Sequence, residues 1–238
     1  MKPVLVDMTG NETEGIINEF QQYINAETYP CVAARAAMSR NHIPCLVADH
    51  MACPKDDEKI LQFLYHFVDD FRKANTLLHS AAIIFKGPEK TTEEIFDALL
   101  WQRLQALAEL DAANFHYDKR VNSDPSHTNF SFSLGEEAFF IIGLHPASTR
   151  LARQFKYPSM VFNPHAQFEE LRKTNRYEKM RNIVRQRDIL YSGSINPMLA
   201  DFGVASEVYQ YSGRQYDGKW SCPLKVTHAE SKNNSSAQ

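Results

Sequence analysis

The sequence predicts an α+β fold: one domain in which helices pack on an antiparallel sheet, followed by a long irregular C-terminal segment. Three observations carry this expectation. Apolar residues recur near every 3.6 positions in two long segments, 56–73 and 91–108. Short strand-like runs at 130–134 and 138–144 flank the turn Gly135-Glu136-Glu137, which implies antiparallel pairing, and a further run follows at 159–163. Residues 188–224 are dense in Gly, Ser, Pro and aromatics but weak in either period, as expected of ordered irregular chain that lines or covers a site.

The remaining elements follow from the same rules. Ile16, Ile17, Phe20, Tyr23 and Ile24 give 12–25 a helical stripe that must stop before Tyr29-Pro30. Next comes a small-residue stretch, CVAARAAMSR, whose low bulk lets backbone approach another body closely. Asp56, Asp57 and Glu58 suit the positive N-terminus of the first long helix, and Thr91-Thr92-Glu93-Glu94 offers a capping box to the second. Between them, AAIIF at 81–85 reads as a buried strand ended by Gly87-Pro88. The loop 118–129 precedes the strand pair, and AFFIIGL is apolar on both faces, which places it inside the sheet. Two shorter helices are expected around 168–171 and 177–187. The folded domain spans 1–226, and the polar tail 227–238 has too little apolar area to offset its ordering entropy.

Totals exclude several function classes. The chain has 238 residues with 26 Lys and Arg against 29 Asp and Glu, a formal net charge of -3 without a long block of one sign, which disfavours nucleic acid as the main ligand. The start MKPVLVDMTGNETEG lacks the basic and apolar regions of a secretory signal, and no stretch is long enough to span a bilayer, so a cytoplasmic protein with no membrane partner is expected. Cys31, Cys45, Cys53 and Cys222 form no CxxC pair and read as buried thiols, or as one ligand among bystanders. No internal repeat and no Gly-rich phosphate loop is present.

The densest chemistry lies in 143–172, where His145 follows one strand and His165 the next. If those strands pair, both imidazoles are expected on one rim of the sheet, where they could bind a metal or haem iron; the plain alternative is a satisfied turn residue beside a proline. Arg35, Arg150, Arg153 and Arg214 are candidate forks for carboxylates or propionates, with a solvated surface charge as the alternative. Cys31, between Pro30 and a run of small residues, is either a haem thiolate or an inert buried thiol.

Segments YPCVAARAA, LWQRLQALAELD, FSFSLGEEAFFIIGLHP, RLARQF, VFNPHAQFEELR, GSINPMLADFG, SEVYQYSGR and WSCPL, in this order from about Tyr29 to Leu224, resemble the YqcI/YcgG family. Within it they are similar to the haem-dependent branch that includes pre-guanitoxin N-hydroxylase and related arginine N-hydroxylases. The resemblance implies one b-type haem and an enzyme that N-hydroxylates a guanidino group of an arginine-like small molecule, with an electron donor or peroxide as co-substrate. It does not say which residue ligates iron: His145 and His165 come first, Cys31 third. On this reading Arg150 and Arg153 meet the propionates, Arg214 the substrate carboxylate, and Glu136, Glu137 or Glu207 the guanidinium, with Glu207 ranked first. Two alternatives stand beside it, a haem-binding sensor or carrier without turnover and a non-haem metal hydrolase using His145, His165 and an acidic residue. The oligomeric state stays open, with a homodimer among the options.

Overall fold

The computed structural model describes residues 8–74, 76–198, 200 and 203–228. Seven helices and five strands succeed one another as α1 (Met8–Asn25), α2 (Val32–Met38), β1 (Cys45–His50), α3 (Asp57–Lys73), β2 (Ala81–Gly87), α4 (Glu93–Asp111), β3 (Phe132–Leu134), β4 (Glu137–Leu144), β5 (Ser159–Pro164), α5 (His165–Lys173), α6 (Tyr177–Ser192) and α7 (Val208–Tyr211), counted among the described residues.

The α+β class holds, and the sheet is mixed. Its order is β1-β2-β5-β4-β3. The β2–β5, β5–β4 and β4–β3 pairs are antiparallel. β1, a strand not expected from the sequence pattern, pairs parallel with β2. The reason is the connection: α3 lies between β1 and β2 in the chain, and a helical crossover returns the chain in the same direction. The Gly135-Glu136 turn is a two-residue hairpin with both residues at positive φ (58° and 59°), closed by the Leu134–Glu137 pair. That twist matches the right-handed twist of the flanking strands.

Alternation assigns the two faces of the sheet. Ala81, Ile83, Phe85, Phe139, Ile141, Met160 and Phe162 enter one core with α3 and α4, while Ala82, Ile84, Leu144 and Val161 enter a second with α1 and α2. Runs that are apolar on both faces are thus explained, because helices cover both sides. α4 is capped by the Thr92 hydroxyl, which accepts from the Ile95 N–H at 3.2 Å. A buried ion pair between Arg103 and Asp57 fixes α4 against the first turn of α3.

Two further boundaries differ from the sequence reading. The small-residue stretch is helical as α2, and α6 runs on to Ser192. His228, assigned to the disordered tail, is buried, with Nε2 2.8 Å from Asp111 Oδ2. A buried carboxylate offers a polar partner that compensates ordering entropy where apolar area alone does not. The rest of the tail from 229 onward lies outside the described residues. No described helix is long and apolar enough to cross a membrane.

Candidate functional site

A cleft opens on the α1/α2 side of the sheet, roofed by α6. Its larger part, about 280 Å³, has a floor of alternate residues from paired strands: Phe140, Ile142 and Leu144 of β4 with Val161 and Asn163 of β5. Phe20 and Ile24 of α1, Tyr29, and Ala33, Ala34 and Ala37 of α2 form a wall of mainly small or apolar groups. α6 contributes Tyr177, Met180, Arg181, Val184, Arg185 and Asp188, whose spacing of three and four keeps them on one helix face. A smaller cavity of about 130 Å³ continues from it, sharing Phe140, Phe168, Tyr177, Arg181, Arg185 and Gln210, and adds His165, Arg172 and Glu207.

Five sequence candidates line this cleft: Cys31, Arg150 and Arg153 in the larger part, His165 and Glu207 in the smaller. Cys31 caps α2, its Sγ accepting from the Ala34 N–H at 3.4 Å, and burial pushes the thiol up. Arg150 donates to Asp188 at 2.5 Å and to the Ser194 carbonyl at 2.9 Å, joining the cleft margin to α6. Arg153 is buried, and its guanidinium donates to the carbonyls of Gly143, Tyr211 and Gln210 at 3.2, 3.0 and 2.8 Å. His165 opens α5 and is buried; burial, with Arg172 and Arg120 adding to it, lowers the imidazole to about 4, so it is neutral at pH 7. Its Nε2 lies 3.8 Å from Glu169.

Glu207 is the most perturbed acid of the site. Its Oε1 accepts from Ser131 Oγ at 2.7 Å and from the Tyr211 hydroxyl at 2.5 Å, and burial, which those bonds only partly offset, pushes the carboxyl up to about 8. A carboxyl held neutral at pH 7 inside a cleft can lose its proton when a cation arrives.

The expected shared rim for the two histidines does not form. β4 and β5 are antiparallel neighbours, so the exit of β4 lies beside Ser159 and the exit of β5 beside Phe139. Five residue steps of strand, roughly 17 Å, separate them. His145 also faces the opposite side of the sheet, stacked on Phe96 at 4.2 Å, and burial lowers it to about 4. Glu136 is an exposed turn residue, and buried Glu137 pairs with Arg120 at 2.8 Å and Arg72 at 3.5 Å around a separate cavity of about 450 Å³. Arg214 lies 3.5 Å from Asp97 and 3.8 Å from Glu94 on α4, and Arg35 donates to the Glu27 carbonyl at 3.3 Å. The cleft includes none of these five candidates, His145, Glu136, Glu137, Arg214 and Arg35. Gln210, Arg181 and Arg185 line it, and Ser131 and Tyr211 hydrogen-bond its Glu207; none of the five was proposed as a site residue from sequence, and the one-face spacing of 177–188 was the available signal for the two arginines.

The family model for YqcI/YcgG matches residues 20–225, the span that holds most of both cores, the cleft and α7. The chain belongs to the YqcI/YcgG family. It is 25% identical over 182 residues to the uncharacterized protein YqcI of Bacillus subtilis (strain 168), covering 74% of this chain and 70% of that protein. No solved structure matches it. Within this family match, Cys31, Arg150, Arg153, His165 and Glu207 all fall inside the matched span and converge on one cleft.

Proposed function

We propose that this YqcI/YcgG protein is a haem-dependent N-hydroxylase acting on the guanidino group of a small arginine-like molecule. One observation carries the reading: the buried Glu207 carboxyl and His165 line a small cavity that is continuous with an apolar slot bordered by arginines, with Cys31 on the lining of that slot. Such a lining fits a flat apolar ring system with acidic edges. Arg150 and Arg185 lie where propionates would meet guanidinium groups, although Arg150 would first have to share Asp188. Haem, when bound, would supply the activation of dioxygen or peroxide.

The chain's own residues do the rest. His165 ranks first as iron ligand because it is already the neutral, metal-binding form, whereas Cys31 would have to release a proton that its burial retains. A guanidinium taken out of water needs a paired carboxylate, and Glu207 becomes one by giving up its proton. Ser131 and Tyr211 hold that carboxylate in place. α6 covers the cleft and limits water.

Hemin titration tests the reading. Binding should convert free-hemin absorbance into a sharp Soret band, His165→Ala should alter that band more than Cys31→Ala, and arginine-like compounds should shift it. Glu207→Gln should weaken guanidino binding by about 2–5 kcal/mol with the haem spectrum intact. Only free-hemin absorbance in the wild type would remove the reading. A haem sensor or carrier would share the slot but gives no role to the buried acid. The metal-hydrolase alternative has no ligand set, because His145 and His165 lie far apart and no group of three or more His, Cys, Asp or Glu among the described residues is placed to hold an ion.

A further inference from the structure

A continuous aromatic path crosses the protein from the α4 side to the wall of the cleft. Tyr216 and Trp220 are half-exposed and stack at 3.8 Å between ring centres. Trp220 lies 5.8 Å from Trp101, which is buried, and Trp101 stacks on buried Tyr211 at 5.9 Å. Tyr211 in turn meets the edge of Phe140, part of the cleft floor, at 5.9 Å. The chain contains two tryptophans, and both belong to this path.

Packing alone would explain stacked rings, but it does not explain where their polar hydrogens go. The Tyr211 hydroxyl donates to Glu207, the Tyr216 hydroxyl donates to Asp97, and the Trp101 indole N–H donates to the same Asp97 oxygen at 2.9 Å. Each of these three easily oxidised side chains has its acidic hydrogen aimed at a carboxyl group. Oxidising a phenol or an indole releases that hydrogen as a proton, so a positioned base is what a redox role requires and what a purely apolar cluster lacks.

We propose that Tyr216, Trp220, Trp101 and Tyr211 form an electron relay between the protein surface and the cleft. In each transfer, a one-electron oxidant in the cleft, of the peroxide-treated haem class, takes an electron from Tyr211 and is reduced by one electron, while the phenolic proton moves to Glu207, which serves as the base once a bound cation or an alkaline solution has ionised it. Trp101 refills Tyr211, which recovers its proton from Glu207. Trp220 or Tyr216 refills Trp101, and a one-electron reductant in solution restores the outer pair. Electron tunnelling weakens exponentially with distance, so rings in or near van der Waals contact favour stepwise transfer over one long jump. The relay extends the haem reading by giving electrons a route in, and its test needs no haem, so either idea can fail alone.

Azide radicals, which oxidise tryptophan selectively, are generated by pulse radiolysis in solutions of the ligand-free protein well on the alkaline side of the Glu207 titration, which burial pushes up to about 8. The tryptophanyl absorbance should decay into tyrosyl absorbance at a rate independent of protein concentration. A nitroso spin trap followed by peptide mass spectrometry should then find adducts on Tyr216 and Tyr211. In Trp101→Phe, with its circular dichroism and melting curve checked, the Tyr211 adduct should be lost while the Tyr216 adduct remains. A Tyr211 adduct that is absent from the wild type, or undiminished in Trp101→Phe, overturns the relay. Tyr216→Phe provides the converse check: the Tyr211 adduct should persist through Trp220, and its loss would overturn the assigned order.

Discussion

Arg153 and Glu207 are buried ionisable groups of opposite sign whose partners give them different roles. The arginine spends its donors on backbone carbonyls of two elements, Gly143 in β4 and Gln210 and Tyr211 in α7, and thereby fixes the short helix whose preceding residue is Glu207. Sequence had offered it as a propionate ligand; the fold uses its planar fork first as a clamp. A lysine keeps the charge but cannot span carbonyls from both elements. Arg153→Lys should therefore cost about 1–3 kcal/mol through buried carbonyls left unbonded. Urea denaturation measures it, and an unchanged midpoint would show that those carbonyls find other donors.

Among the elements, α4 and β4 meet through a glycine. A Cβ at Gly143 would lie 2.7 Å from Phe96 Cε1 and 2.9 Å from Leu100 Cδ1, so the helix rests directly on the strand backbone. His145, two residues on and on the same face, stacks on the same Phe96. Gly143→Ala should push α4 away and destabilise by about 1–3 kcal/mol, an overpacking effect. Gly218, which has nothing within 4 Å of its Cβ position, is the control and should tolerate alanine. Thermal melts of both variants decide the point; equal melting temperatures would mean that α4 adjusts without cost.

At the scale of the molecule, three buried groups shape stability against pH. His145 and His165 are lowered from 6.5 to about 4, so their contribution is present above 6.5 and is lost as pH falls toward 4. Glu207 is raised from 4.5 to about 8, so its contribution is present below 4.5 and is lost as pH rises toward 8. Each contributes a slope of about 1 kcal/mol per pH unit in its window. From 4.5 to 6.5 the two histidines outweigh the acid and stability climbs; from 6.5 to 8 the acid acts alone and stability declines. Denaturation curves across this range should peak near 6.5 for these groups, and Glu207→Gln should flatten the alkaline limb. A wild-type limb already flat would place the titration of Glu207 elsewhere.

Sequence by itself determined the local elements. The 3.6-residue stripes of α3 and α4, the Gly-Glu turn of the β3–β4 hairpin and the two-sided apolar runs of β2 and β4 are legible because spacing and turn chemistry act within a few residues. Family resemblance and its place in the irregular segment ranked Glu207 first among the carboxyls for a guanidinium; the fold puts that residue on the lining of the smaller cavity. Tertiary structure alone decided the rest. Strand direction sent His145 and His165 to opposite rims, and a crossover through α3 added the parallel β1. Residues as distant as Cys31 and Glu207 reach one cleft only because sheet pairing and helix docking depend on burial between segments far apart in the chain, which no local period records.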